Sequence, residues 1–138
     1  MVSLKRITNH TNKMSEVIVN GRIKIKTFQS SFLQKFPYLV PTLRTADGKG
    51  IDNELTIAGA RSLVKDTYSP SGEAELSING NLTVGGFENR FKQSFGVDCE
   101  ICFKKGGRLT RTGADQDKMT LSALNKSLMD SGAEKITL

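Results

Sequence analysis

The chain has 138 residues, 37% of them hydrophobic and 25% charged, with no Trp. This suits a globular protein of one ordinary domain, or of two very small ones sharing a core, in which each phenylalanine is a core anchor. No apolar run approaches the roughly 18–20 residues that span a bilayer, and the opening MVSLKRITNHTNKM lacks the apolar region of a signal peptide, so no membrane partner, a cytoplasmic location and two reduced cysteines are expected.

The net charge of +6 is unevenly placed: residues 1–70 hold 11 Lys/Arg against 5 Asp/Glu, whereas residues 71–138 hold 9 of each. Residues 1–14 read as a basic flexible tail, in which Lys5, Arg6 and Lys13 face no acidic residue. Any electrostatic partner is therefore expected at the first half.

Two units follow, over residues 15–70 and 71–138. Aligned at an offset of 59, Asn20, Gly21, Phe28, Phe32, Gln34 and Phe36 meet Asn79, Gly80, Phe87, Phe91, Gln93 and Phe95, all identical. After five extra residues in the second unit, LTIAG at 55–59 answers MTLSA at 119–123. The pattern is an internal repeat.

In the first unit Val17, Val19, Ile23 and Ile25 alternate straight through Asn20-Gly21. A two-residue hairpin would put the two apolar pairs on opposite faces, so the alternation predicts one long strand kinked at the glycine or a hairpin with a bulged three-residue turn. Thr27 is placed to cap a helix that turns Phe28, Phe32 and Phe36 to the core, and Pro37 stops it. A less regular strand follows around Val40–Thr45, interrupted by Pro41, and Thr56 opens the short helix TIAGARSLV. SPSGE at 69–73 is the joint.

The second unit repeats this course, with Leu76, Ile78, Leu82 and Val84 alternating, Phe87, Phe91 and Phe95 on a helix ended by Gly96, and Val97, Cys99, Ile101 and Phe103 on a strand. KKGGRLTRTG reads as a connecting loop, Thr120 caps TLSALNKSL, and AEKITL resembles an opening strand that completes the second sheet. The fold class is α+β: two tandem ββαβ- or βαβ-like units, each a curved sheet covered by its phenylalanine helix. The alternative is a single ferredoxin-like duplicated fold.

Cys99-Glu-Ile-Cys102 lacks the second ligand pair of a structural zinc site and falls within a strand pattern, away from the helix N-terminus of a redox motif. The two cysteines therefore read as plain thiols, Cys99 on the apolar face and Cys102 on the other. Lys104, Lys105, Arg108 and Arg111 beside Gly106, Gly107 and Gly113 make a weak anion-binding loop that fits neither phosphate-loop spacing. Asp115 and Asp117 read as turn residues. RIKIK sets Arg22, Lys24 and Lys26 on one strand face, where Asn81, Thr83 and Gly85 stand in the second unit; the scaffold does not require that charge, so the three join Lys5, Arg6 and Lys13 as candidate contacts for nucleic acid or an acidic partner. One histidine, no paired carboxylates and no nucleophile motif leave no catalytic constellation, and no cofactor or metal is expected.

The stretch GGFENRFKQSFGVDCEICFKKGG with MTLSALNKSL resembles a group of small uncharacterised bacterial proteins built from two such units. CEICFKKGGRL followed by MTLSAL is similar to the ubiquitin-like β-grasp pattern. That second resemblance implies a protein-binding surface on an open sheet, without conjugation, because Ile136-Thr137-Leu138 offers no diglycine. The expected function is a non-enzymatic binding or adaptor protein acting through protein–protein interaction; the alternative is sequence-nonspecific nucleic-acid binding by the tail and first unit.

Overall fold

The structure is a computed structural model, which describes residues 17–45, 47–63 and 75–138. Lys5, Arg6 and Lys13 of the tail and the joint at 69–73 lie outside the described residues. The chain is α+β. Its elements are β1 (Val17–Asn20), α1 (Ile25–Lys35), β2 (Val40–Arg44), α2 (Ile57–Arg61), β3 (Glu75–Ile78), α3 (Val84–Phe95), β4 (Asp98–Lys105), β5 (Arg108–Arg111), α4 (Ala114–Asp117) and α5 (Leu121–Asp130). None of these helices is long and apolar enough to cross a membrane.

The alternation through Asn-Gly proves to be neither a kinked strand nor a hairpin. β1 stops at Asn20, whose Oδ1 accepts from Arg22 N at 2.8 Å, and Asn79 Oδ1 accepts from Asn81 N at 2.9 Å. Each asparagine thus closes a turn on its own side chain. The glycines are there for space. A Cβ on Gly80 would stand 1.8 Å from Ser122 Oγ and 3.0 Å from Ser122 Cβ, and one on Gly21 would stand 3.4 Å from Ala58 Cβ.

The helices then begin earlier than Thr27 suggested. Lys24 and Thr83 are the N-caps of α1 and α3, and Thr27 lies inside α1. In each half, the starts of two helices satisfy one another. Ile25 N donates to Leu55 O at 2.9 Å while Ile57 N donates to Ile23 O at 3.0 Å; Val84 N donates to Met119 O and Leu121 N to Leu82 O, both at 2.9 Å. Amide groups orphaned at two helix ends are thereby paired, which is what the recurring Thr-Leu/Ile stretches accomplish.

The strands of the first half pair with strands of the second, and β5 is added to β4 within the second half. β1 runs antiparallel to β3 with Val17 opposite Ile78, Ile18 opposite Ser77 and Val19 opposite Leu76. β2 runs antiparallel to β4 with Val40 opposite Cys102, Thr42 opposite Glu100 and Arg44 opposite Asp98. Both registers map onto themselves when the halves are exchanged, so a pseudo-twofold axis passes through the Ile18–Ser77 and Thr42–Glu100 pairs. The outcome is a two-stranded sheet and a three-stranded sheet in the order β2-β4-β5, in place of one sheet per unit or one ferredoxin-like sheet. The closing segment does not form a strand; Glu134 makes a single bridge to Lys104.

The two phenylalanine ladders meet on this axis. Phe28 stacks on Phe91 with centroids 5.5 Å apart, Phe32 lies 5.7 Å from Phe87, and Phe28 and Phe87 face each other at 6.5 Å. All six ladder rings are buried in one cluster that also takes Val19, Ile78, Leu43 and Ile101 from both sheets. Pro41 is accommodated because it faces Ile101 at a position where its missing N–H would point away from β4.

Candidate functional site

The sequence-derived candidates fall in three places. Arg22 lies in the turn after β1, Lys24 is an N-cap and Lys26 is in the first turn of α1, so RIKIK is not a strand and has no strand face. Lys24 and Lys26 converge on one carboxylate, Glu54, at 3.6 and 2.9 Å. The hydrogen bond from Lys26, with its charge and that of Lys24, holds the Glu54 carboxyl below its usual range.

KKGGRLTRTG is not a loop but a β-hairpin. Gly106 and Gly107 have φ of 59° and 78°, the pair of left-handed residues that a tight two-residue hairpin turn demands. β5 pairs Arg108 with Lys105, Leu109 with Lys104, Thr110 with Phe103 and Arg111 with Cys102. The anion cradle imagined at the glycines is filled by the chain itself, since Glu134 Oε1 accepts from Gly107 N at 2.8 Å. Arg111 is engaged as well: its Nη1 meets Glu100 Oε2 at 2.7 Å, and Arg44 Nε approaches Glu100 Oε1 at 3.4 Å from the other side. Lys104, Lys105 and Arg108 have no ion-pair partner among the described residues.

This hairpin is one of two places where the second half is longer than the first, the other being α4, which has no counterpart there among the described residues. In the first half Thr45 N donates to Lys49 O at 2.9 Å and Ile51 N to Leu43 O at 3.2 Å, closing a short turn. In the second half Thr112 N likewise donates to Ile101 O at 3.2 Å, but six residues, 104–109, stand where the first half has three, 46–48. These six are KKGGRL, and they include Lys104, Lys105 and Arg108.

At the root of β5 lies a cavity of about 140 Å³ lined by Glu88, Glu100, Ile101, Arg111, Thr112 and Asp117. β5 leaves β4 at Thr112, and Glu88 Oε2 takes the Ile101 N–H at 2.9 Å that a continuing strand would have received. Burial pushes the Glu88 carboxyl up to about 7; the Ile101 amide opposes this, the charges of Asp117 and Glu100 add to it, and Arg111 offsets part of it. The matching residue of the first half is Gln29, whose Nε2 donates to Pro41 O at 2.9 Å on the outer edge of β2. Asp117 accepts from the Thr112 hydroxyl at 2.6 Å, so it fastens the chain after β5 in addition to lying in a short helix. Glu88 and Glu100 escaped the sequence reading, in which Asp115 and Asp117 are turn residues and not, as here, part of α4. The available signal was that both ladders carry a polar residue immediately after their first phenylalanine, at Gln29 and Glu88.

Cys99 and Cys102 are both buried free thiols. Burial, with the charge of Glu88 next, drives the Cys99 thiol well above its ordinary value, the opposite of what thiolate chemistry needs. Among the described residues no group of three His, Cys, Asp or Glu side chains is placed to hold a metal ion. No family model, no curated protein and no solved structure matches the chain.

Proposed function

We propose that this chain is a non-enzymatic interaction module acting through protein–protein contact, with the β4–β5 hairpin as its recognition element. The observation that carries the reading is the divergence at residues 104–109. The paired helix starts, the crossed strands and the phenylalanine cluster build the scaffold from both halves alike, and β5 adds no buried side chain to it. This fully exposed strand, in a hairpin where Lys104, Lys105 and Arg108 have no ion-pair partner among the described residues, is therefore surplus to the fold. Glu88, though near neutrality, is committed to the Ile101 amide, and this supports a structural role in preference to acid–base chemistry. Nucleic-acid binding by the first half has less support, because Lys24 and Lys26 are shared with Glu54.

The test is site-specific photo-crosslinking in living cells of the source. A photoreactive residue at Thr110, on β5, is expected to capture a protein, and the same residue at Ser30, on the exposed side of α1, is not. Capture from Ser30 with none from Thr110 would place recognition elsewhere.

A further inference from the structure

The outer edge of β5 names the kind of partner, an inference that rests on the reading above. Register decides which backbone groups are free. The tight glycine turn makes Lys105 and Arg108 a mutually hydrogen-bonded pair, and alternation makes Phe103–Thr110 and Ile101–Thr112 bonded as well. Leu109 and Arg111 lie at the intervening positions, so their N–H and C=O groups point outward, and no described residue bonds to them. The opposite edge of the same sheet is covered, because Gln29 holds Pro41 O and Ile51 holds Leu43 O on β2. β5 alone ends this sheet openly. All four of its residues are exposed, and the apolar side chain of Leu109 is 52% accessible.

Charge then narrows what can pair there. Lys104 lies beside Leu109 on one face of the hairpin, and Lys105 and Arg108 on the other, so cations flank the edge above and below. A second copy of β5 would bring two hairpins of like charge edge to edge, and a basic or neutral strand would leave the cations unmatched. We infer that β5 takes up an acidic extended segment of a partner protein as an added strand. The N–H and C=O groups of Leu109 and Arg111 pair with its backbone, Lys104, Lys105 and Arg108 meet its carboxylates, and Leu109 meets an apolar side chain. Backbone pairing gives affinity, and alternating side chains give selectivity.

The probe is a capped peptide of about eight residues alternating Glu with Val, compared with the same peptide carrying Lys for Glu and with oligothymidylate. Amide exchange of the full chain reads the contact. The acidic peptide is expected to slow exchange at Leu109 and Arg111 by about tenfold, and the basic peptide to leave it unchanged. Leu109→Pro removes an outward donor together with the Leu109 side chain and leaves the β4 ladder intact, so it is expected to abolish that binding, while Lys105→Ser with Arg108→Ser weakens it about tenfold at low salt. Binding without protection of Leu109 and Arg111, or binding undiminished in a folded Leu109→Pro chain, would overturn strand addition. Oligothymidylate bound equally by the parent and Leu109→Pro, with no uptake of the acidic peptide, would assign the cations to nucleic acid. If Leu109→Pro disturbs the β4 amides, the double serine variant and the parent's exchange pattern decide. Crosslinks from Thr110 that persist when the acidic peptide fails would leave the hairpin as recognition element and remove only the added strand.

Discussion

Replacing Glu88 by Gln should make the protein more stable at mildly alkaline pH and flatten its pH dependence. Glu88 has a folded-state value of about 7 against 4.5 for the free group, with burial as the chief cause. A carboxyl raised in the folded state favours folding when protonated, so its contribution is fully present below about pH 4.5 and is lost as pH rises through about 7. The full displacement corresponds to about 3 kcal/mol. Because the carboxyl is only part-buried and solvent screens it, about 1–2 kcal/mol is the expected loss. Glutamine keeps an oxygen for the Ile101 N–H and carries no charge; a neutral glutamine, Gln29, already stands at the matching place, where it donates to Pro41 O. Urea denaturation at about pH 5 and pH 8 should show the parent losing this amount relative to Glu88→Gln, with the variants similar at the lower pH. His10 and the exposed carboxylates are common to both chains and cancel in the difference. A parent and variant with parallel pH profiles, or a parent that gains stability on the variant as pH rises, would refute the assignment of Glu88 as a carboxyl held neutral by burial.

Thr83 caps α3 by accepting from Gly86 N at 3.0 Å, whereas Lys24 at the matching place caps nothing; Thr83→Ala should cost about 1 kcal/mol and Lys24→Thr should gain about 0.5 kcal/mol in chemical denaturation. Gly80→Ala should destabilise by about 1–3 kcal/mol, and more than Gly21→Ala, because Ser122 blocks the first and Ala58 only touches the second; Ser122→Ala should recover part of the loss. Phe28→Ala should cost about 3–5 kcal/mol and unfold both halves in one transition, since its ring packs on Phe87 and Phe91; separate transitions for tyrosine fluorescence and far-UV circular dichroism would contradict a shared core.

The repeated apolar positions made the α+β class and the buried ladders legible, because four-residue spacing of phenylalanine has few other uses. The junctions were less legible. Ile23 and Ile25 keep period two although one lies in a turn and the other opens a helix: both are drawn inward by the paired helix starts, which no local pattern encodes. Strand partners were also hidden, since β1 and β3 are each satisfied only by a segment from the other half. β5 is different, because Gly-Gly between FKK and RLTR is a tight-turn signal in its own right; the surrounding cations drew attention to phosphate chemistry and away from backbone geometry. Glu88 acquires its character only where β5 leaves β4, a place that spacing along the chain does not reveal.

The claim that the paired halves make the fold while residues 104–109 make the contact meets its most direct test in one exchange. Lys104–Leu109 would be replaced by Ala-Asp-Gly, the residues at 46–48 of the first half, and urea denaturation and acidic-peptide uptake measured on the same sample. The account predicts a cooperative transition within about 2 kcal/mol of the parent, because β5 contributes no buried side chain, together with complete loss of peptide uptake and of capture at Thr110. A folded exchange variant that still takes up the peptide, or one that no longer folds because the scaffold needed the hairpin, would contradict it.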